Sequence, residues 1–342
     1  LGYGFHLTNT PLPPLQEVLE NLFTVEIPMT VTFRGVNSRQ SALICGPYGW
    51  GEFAPFLEYG AQESAAWLAC TLEAAWLPTP KPVRTRIPLN ATLPAVPAER
   101  VPEVLAKYEG EIQELKIKVA EKGQSLADDI ARVAAAREAL PNARLKVDAN
   151  MGYTLAGALE ALRKLCEYGI IYAEQPVASI EDMAALRFAI AKEGLPARIA
   201  ADESIRKAED PLKVARANAA DLMVIKAAPL GGVRRALALV EQAQLPAVVS
   251  SALESSVGIA TGASLAASLP TLRYGCGLGT VSLMAEDVTD EPLIARDGFM
   301  DLRAITPNPR RLERLATDKQ TRQWWVERVT ACYRVLERAC GL

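Results

Sequence analysis

From residue 86 onward the chain repeats one unit: a short apolar strand ending in a polar or charged residue, followed by an amphipathic helical stretch. The spacing predicts strands at 86–89, 114–119, 144–149, 170–174, 198–202, 222–226, 247–251 and, less regularly, 272–276. Helices are expected between them at 125–139, 154–168, 180–193, 210–217, 233–242 and 257–267, where alanine, leucine and apolar spacings of three and four suit packing on a sheet. Strand ends at 118, 148, 174, 202, 226 and 250 lie about 24 to 30 residues apart, the length of one βα unit in a closed barrel. That favours a barrel over an open doubly wound sheet. The first unit is compressed, with a proline-rich, loop-like stretch at 91–97.

The flanks read differently. Segments 23–32 and 39–45 alternate like a hairpin and 62–76 is a helical run, so residues 1–85 are expected to form an α+β lobe. The barrel is assigned to 86–303. The segment 304–342 is expected to fold back on the lobe through a helix at 312–340, with Trp325, Val329, Cys332 and Leu336 on one face. Residues 1–14, with Pro11, Pro13 and Pro14, form an irregular lead-in of no assigned purpose.

In such a barrel, catalytic groups project from the C-terminal ends of the strands. Those ends carry Lys116-Ile117-Lys118, Asp148-Ala149-Asn150, Glu174-Gln175-Pro176, Asp202-Glu203-Ser204, Lys226 and Ser250-Ser251. A single strand-end carboxylate is commonly a helix cap or a surface ion pair. Three on adjacent strands repel one another at the barrel mouth unless a cation compensates, and a hard divalent ion with oxygen ligands does so. Asp148, Glu174 and Asp202 are therefore the candidate ligands, with Mg²⁺ as the expected ion and Mn²⁺ as the alternative. Strand periodicity puts Lys116 and Lys118 on one face, with Lys226 across the ring. An ammonium beside a cation and another ammonium loses its proton more readily, so these lysines are candidate bases for removing a proton α to a carboxylate. Lys116 reads equally as a supporting charge.

The order K-x-K, D-x-N, E-Q-P, D-E-S, K resembles the enolase superfamily, specifically its muconate-lactonizing-enzyme-like branch, over nearly the whole chain. The resemblance implies a modified (β/α)7β barrel with an α+β capping domain. It also implies a lysine base with magnesium, the chemistry general to this superfamily. The single histidine, His6, is far from any strand end, which argues against the mandelate-racemase type. Residues 274–280 lack the D-x-D motif of dipeptide epimerases. The segments Phe33-Arg34-Gly35, 51–56 and 250–258 resemble the o-succinylbenzoate synthase family of menaquinone biosynthesis. That resemblance implies a lyase, a metal-dependent syn-dehydratase, in which Lys118 moves both protons and Lys226 stabilises the anion from the opposite face. N-succinylamino acid racemases share the two lysines, and a non-catalytic ligand-binding barrel is the remote alternative. For the succinyl arm the candidates are Ser250 and Ser251, with Lys146 assisting electrostatically from the same face as Asp148 and Phe53 and Phe56 lining the pocket. The serines also read as a turn, and the aromatics as packing.

Lysine plus arginine (37) nearly balance aspartate plus glutamate (40), with no block of like charge, so nucleic acid and membrane surfaces are not expected partners. A small carboxylate is. The six cysteines form no C-x-x-C pair and read as thiols of a cytoplasmic protein. No basic-then-apolar leader and no apolar run of about 18 residues is present. The oligomeric state is left open.

Overall fold

A computed structural model of the chain describes residues 12–33, 36–206 and 210–340. His6, Pro11, Arg34 and Gly35 lie outside the described residues. A cap comes first, with antiparallel strands β1 (Leu22–Phe33), β2 (Val36–Gly46) and β3 (Gly49–Phe53) and the helix Ala61–Trp76. β3 was not among the expected strands. Glycine obscures its pattern yet is required there, because a Cβ on Gly51 would sit 2.2 Å from the Thr71 carbonyl oxygen of the helix packed on it.

The barrel sheet is parallel throughout, in the order β5 (Ala91–Leu93), β6 (Glu114–Lys118), β7 (Arg144–Asp148), β8 (Ile170–Glu174), β9 (Arg198–Ala201), β10 (Leu222–Ile225), β11 (Ala247–Val249). Its first strand is not the one expected. Residues of β4 (Arg86–Pro88) pair antiparallel with β12 (Phe299–Asp301), and the stretch read as a loop supplies β5. Three residues ahead of Pro94 are too few for a periodic signal. Isolated parallel bridges Leu89↔Cys276 and Ser250↔Gly277 close the ring, so the eighth position is an irregular segment. The architecture is a modified (β/α)7β barrel under an α+β cap.

Four barrel helices start where a polar side chain caps them. Ser125 and Asp128 form a reciprocal capping box, and Thr154, Ser179 and Ser255 accept the N–H groups of Gly157, Asp182 and Val257. The helix expected at 210–217 is reduced to Lys213–Arg216. At the C-terminus, Pro309–Arg314 and Lys319–Cys340 form two helices where one was expected. Trp325, Val329, Cys332 and Leu336 are each fully buried, as their spacing implies. Trp325 meets Phe53 edge-on at 5.8 Å, and Arg328 donates to the carbonyls of Phe56 and Tyr59 at 2.7 and 2.8 Å. The tail therefore packs on the cap.

Two buried cap carboxylates dock the cap onto barrel helix N-termini, where the helix dipole and unpaired N–H groups favour negative charge. Glu73 accepts the N–H groups of Val233 and Arg234 at 3.0 and 3.2 Å. Glu52 accepts those of Ser255 and Gly258 at 3.1 and 2.9 Å, together with the Ser255 hydroxyl at 2.6 Å. Among the described residues no cysteine is in a disulfide, and no helix is long and apolar enough to cross a membrane.

Candidate active site

The register of the sheet decides which charges meet. Lys118 lies opposite Asp148, and Asp148 opposite Glu174, while Glu174 pairs with Ala200 so that Asp202 stands one step above it. Lys226 directly follows β10, four strands round the ring from β6. Lys118 Nζ is 2.6 Å from Asp148 Oδ2 and 2.6 Å from Asn150 Oδ1. Lys116 Nζ is 3.3 Å from Glu174 Oε1 and 3.4 Å from Asp148 Oδ2. Lys226 Nζ is 2.6 Å from both oxygens of Asp202. Three lysines and three carboxylates thus meet at one mouth, and Asp148, Glu174 and Asp202 are all buried.

Their ionisation follows from this packing. Burial disfavours the Asp148 carboxylate, but Lys118 and Lys116 overcome it and hold its pKa well below the usual range. Burial likewise works against the Lys116 ammonium, and the charges of Glu174 and Asp148 outweigh it, raising its pKa. Burial and the neighbouring Asp148 charge push Glu174 up to about 7 despite the relief from Lys116. The cluster is short of positive charge at Glu174.

That shortage, with an all-oxygen donor set on three successive strands, fits a hard divalent cation. In the present arrangement each carboxylate turns toward a lysine, and among the described residues no three acid, histidine or cysteine side chains close around one point. A cation bound here would take the carboxylates from their ammonium partners.

A cavity of about 60 Å³ opens on these groups, with Lys116, Lys118, Asp202 and Lys226 in its wall. Ser250 and Ser251 line it, Ser251 Oγ donating to the Gly277 carbonyl at 2.8 Å and lying 3.0 Å from Thr280 Oγ1. Two expected residues do not reach it. Lys146 faces the barrel interior one layer lower, fully buried, donating to Glu114 Oε2 at 3.1 Å and the Gly275 carbonyl at 2.7 Å. Phe53 is fully buried in the cap against Trp325, whereas Phe56, the other aromatic candidate, lines the cavity 4.6 Å beneath the Arg39 guanidinium.

This placement makes Phe53 a packing residue. Phe53→Ala is expected to cost about 3 to 5 kcal/mol of stability in urea unfolding, while Phe53→Leu leaves the KM for substrate within about twofold. A large KM change in a well-folded Phe53→Leu protein would return the residue to the pocket.

Two supporting residues stood in the motifs without a role. Asn150, the third letter of D-x-N, tethers the Lys118 amine and donates to Glu203 Oε1 at 3.2 Å. Gln175, from E-Q-P, accepts the N–H groups of Asp202 and Ser204 at 3.1 Å and donates to Ser204 Oγ at 2.8 Å, fixing the turn that carries Asp202. Both have positive φ, 43° and 37°, a conformation held by these contacts. Arg39 escaped the sequence reading as well. From the cap it donates to the Ala54 carbonyl and to that of Leu253 at 3.0 Å, tying the cap to the cavity wall at Leu253.

Known proteins share this layout. The family described as Enolase C-terminal domain-like matches residues 98–307, and that described as Enolase N-terminal domain-like matches residues 24–75. An o-succinylbenzoate synthase of Mycolicibacterium smegmatis is 53% identical over 326 residues, covering 95% of this chain and 99% of that protein. One from Mycobacterium leprae is 50% identical over 331 residues, covering 96% of each. Among solved structures, muconate lactonizing enzyme from Pseudomonas fluorescens superposes with a TM-score of 0.72 at 23% identity, covering 87% of this chain and 98% of that one.

Proposed function

The chain belongs to the enolase superfamily, and on that footing we propose that it is a lyase that dehydrates 2-succinyl-6-hydroxy-2,4-cyclohexadiene-1-carboxylate to o-succinylbenzoate, a step of menaquinone biosynthesis. One observation carries the mechanistic reading: Lys118 and Lys226 stand on opposite sides of the ring, and each reaches a carboxylate of the buried triad at 2.6 Å. Relatives of about 50% identity over nearly the full chain bear the synthase name, which supports the choice of reaction.

Asp148, Glu174 and Asp202 would hold the metal, Mg²⁺ or alternatively Mn²⁺, which when bound supplies positive charge to the negative charge that gathers on the substrate carboxylate. Lys118, as the free amine, takes the α-proton. The C–H electron pair passes into the ring and carboxylate, then returns to expel the hydroxyl as the C–O bond breaks. Lys118 delivers its proton to that leaving oxygen on the same face, so water departs and the ring becomes aromatic. Lys226 faces the planar anion from the other side and stabilises it by charge and cation–π contact. Lys116, bound to Glu174 and Asp148, is the supporting charge. Ser250, Ser251 and Phe56 border the cavity where the succinyl arm would lie. The cysteines, without disulfides among the described residues, support a reducing cytoplasmic setting.

The test is an ultraviolet assay of the cyclohexadiene with the Mg²⁺-supplied protein. Aromatic product should form, cease on chelation and return with Mg²⁺ or Mn²⁺. No aromatisation under either metal would overturn the reading.

A further inference from the structure

Beneath the base lies an ion pair to which the reaction assigns no part. Arg132, on the helix Leu126–Ala139, is fully buried, and Asp129 is 1% exposed. Arg132 Nη1 lies 2.9 Å from Asp129 Oδ1 and donates to the Lys118 carbonyl at 2.9 Å. Its Nε donates to the Val96 carbonyl at 2.6 Å, and Nη2 donates to Gln124. Asp129 Oδ2 accepts the N–H of Ala120 at 2.9 Å and the hydroxyl of Tyr153 at 2.7 Å. The loops after β5, β6 and β7 therefore meet at one buried pair.

An ion pair is a poor choice for stability alone, because desolvating both charges is costly and an apolar pair often serves as well. What a guanidinium adds is direction, since its donors form a rigid fork. Here that fork points at the end of β6 and at the loop after β5. The segment it holds is strained: Ala120 has φ 57°, a region that a residue with a Cβ keeps only when its surroundings hold it. The Lys118 amine is tethered at its tip by Asp148 and Asn150, Arg132 holds the same residue by its carbonyl, and Asp129 holds the N–H of Ala120 two residues on.

We propose that Arg132 is a positioning residue for the reaction: with Asp129 and Tyr153 it holds the turn at 118–120, so that one amine stays aligned through both proton transfers. The proposal rests on the assignment of Lys118 as the base. Displacements of about 1 Å are worth about 10²-fold in rate, which sets the expected effect.

Tyr153→Phe removes one hydroxyl from the network, and Arg132→Lys keeps the charge while losing the fork. We expect kcat to fall about tenfold in the first and about 10²-fold in the second, with KM within about twofold. Substrate deuterated at the α-carbon should give a larger isotope effect on kcat than in the wild type, because proton abstraction becomes rate-limiting. Amide hydrogen exchange should quicken in peptides covering 117–121 while the rest of the barrel is unchanged. A merely structural role would lower the folded fraction and leave the isotope effect of the surviving enzyme as it was, and that result overturns the proposal. Unaltered exchange at 117–121 overturns it too. Should the wild type fail to aromatise the substrate, the functional reading falls by itself, and the exchange measurement, which needs no substrate, still decides whether Arg132 holds the turn.

Discussion

Lys118→Ala is expected to lower kcat for dehydration by about 10⁴-fold, the upper end of what general acid–base catalysis supplies, because one side chain serves as base and then as acid. The fold should survive the change. Lys118 is only half-buried, and Asp148 keeps Lys116 at 3.4 Å as a neutralising partner. Lys226→Ala should cost less, about 10² to 10³-fold, as expected when charge stabilisation is lost but the proton route remains. Both are read from the rate of aromatic product formation, with circular dichroism to establish folding. Full activity in Lys118→Ala would remove it as the base.

Mg²⁺ at about 100 times its Kd should raise the unfolding free energy by about 2.7 kcal/mol in the wild type, since the ion binds only the folded site. The same ion should do nothing for Glu174→Gln. The reason lies in the charge balance: burial and Asp148 push Glu174 up to about 7, so the triad lacks positive charge there even with Lys116 at 3.3 Å. Removing that carboxylate removes both the repulsion and a ligand. Urea titrations with and without Mg²⁺ measure the difference without reference to turnover. Equal stabilisation of the two proteins would place the ion elsewhere.

The ring of charged side chains was legible because a strand's period of two reports which face a side chain takes, and five successive strand ends carried charge. Period does not report height. Lys146 has the same parity as Asp148 and does point inward, yet it sits one layer down, enclosed by Glu114 and the Gly275 carbonyl. Phe53 was misplaced for a different reason: glycines hid the strand that buries it in the cap. The strand β5 is three residues long and left no pattern, so the barrel's first strand was put at 86–89. Arg39 meets Leu253 across 214 residues of chain, and Arg132 reaches the Lys118 carbonyl from the following helix. Contacts of side chain to distant backbone have no spacing that a sequence displays. Motif letters such as Asn150 and Gln175 were visible as residues while their partners were not.

The most direct test of the central claim sets two substrates against the metal-loaded wild type: the cyclohexadiene, followed by ultraviolet absorbance, and both enantiomers of an N-succinylamino acid in deuterated water, followed by α-exchange. A dehydratase built on Lys118 and Lys226 predicts that aromatic product formation dominates by kcat/KM. Rapid exchange of both enantiomers with negligible aromatic product would contradict it.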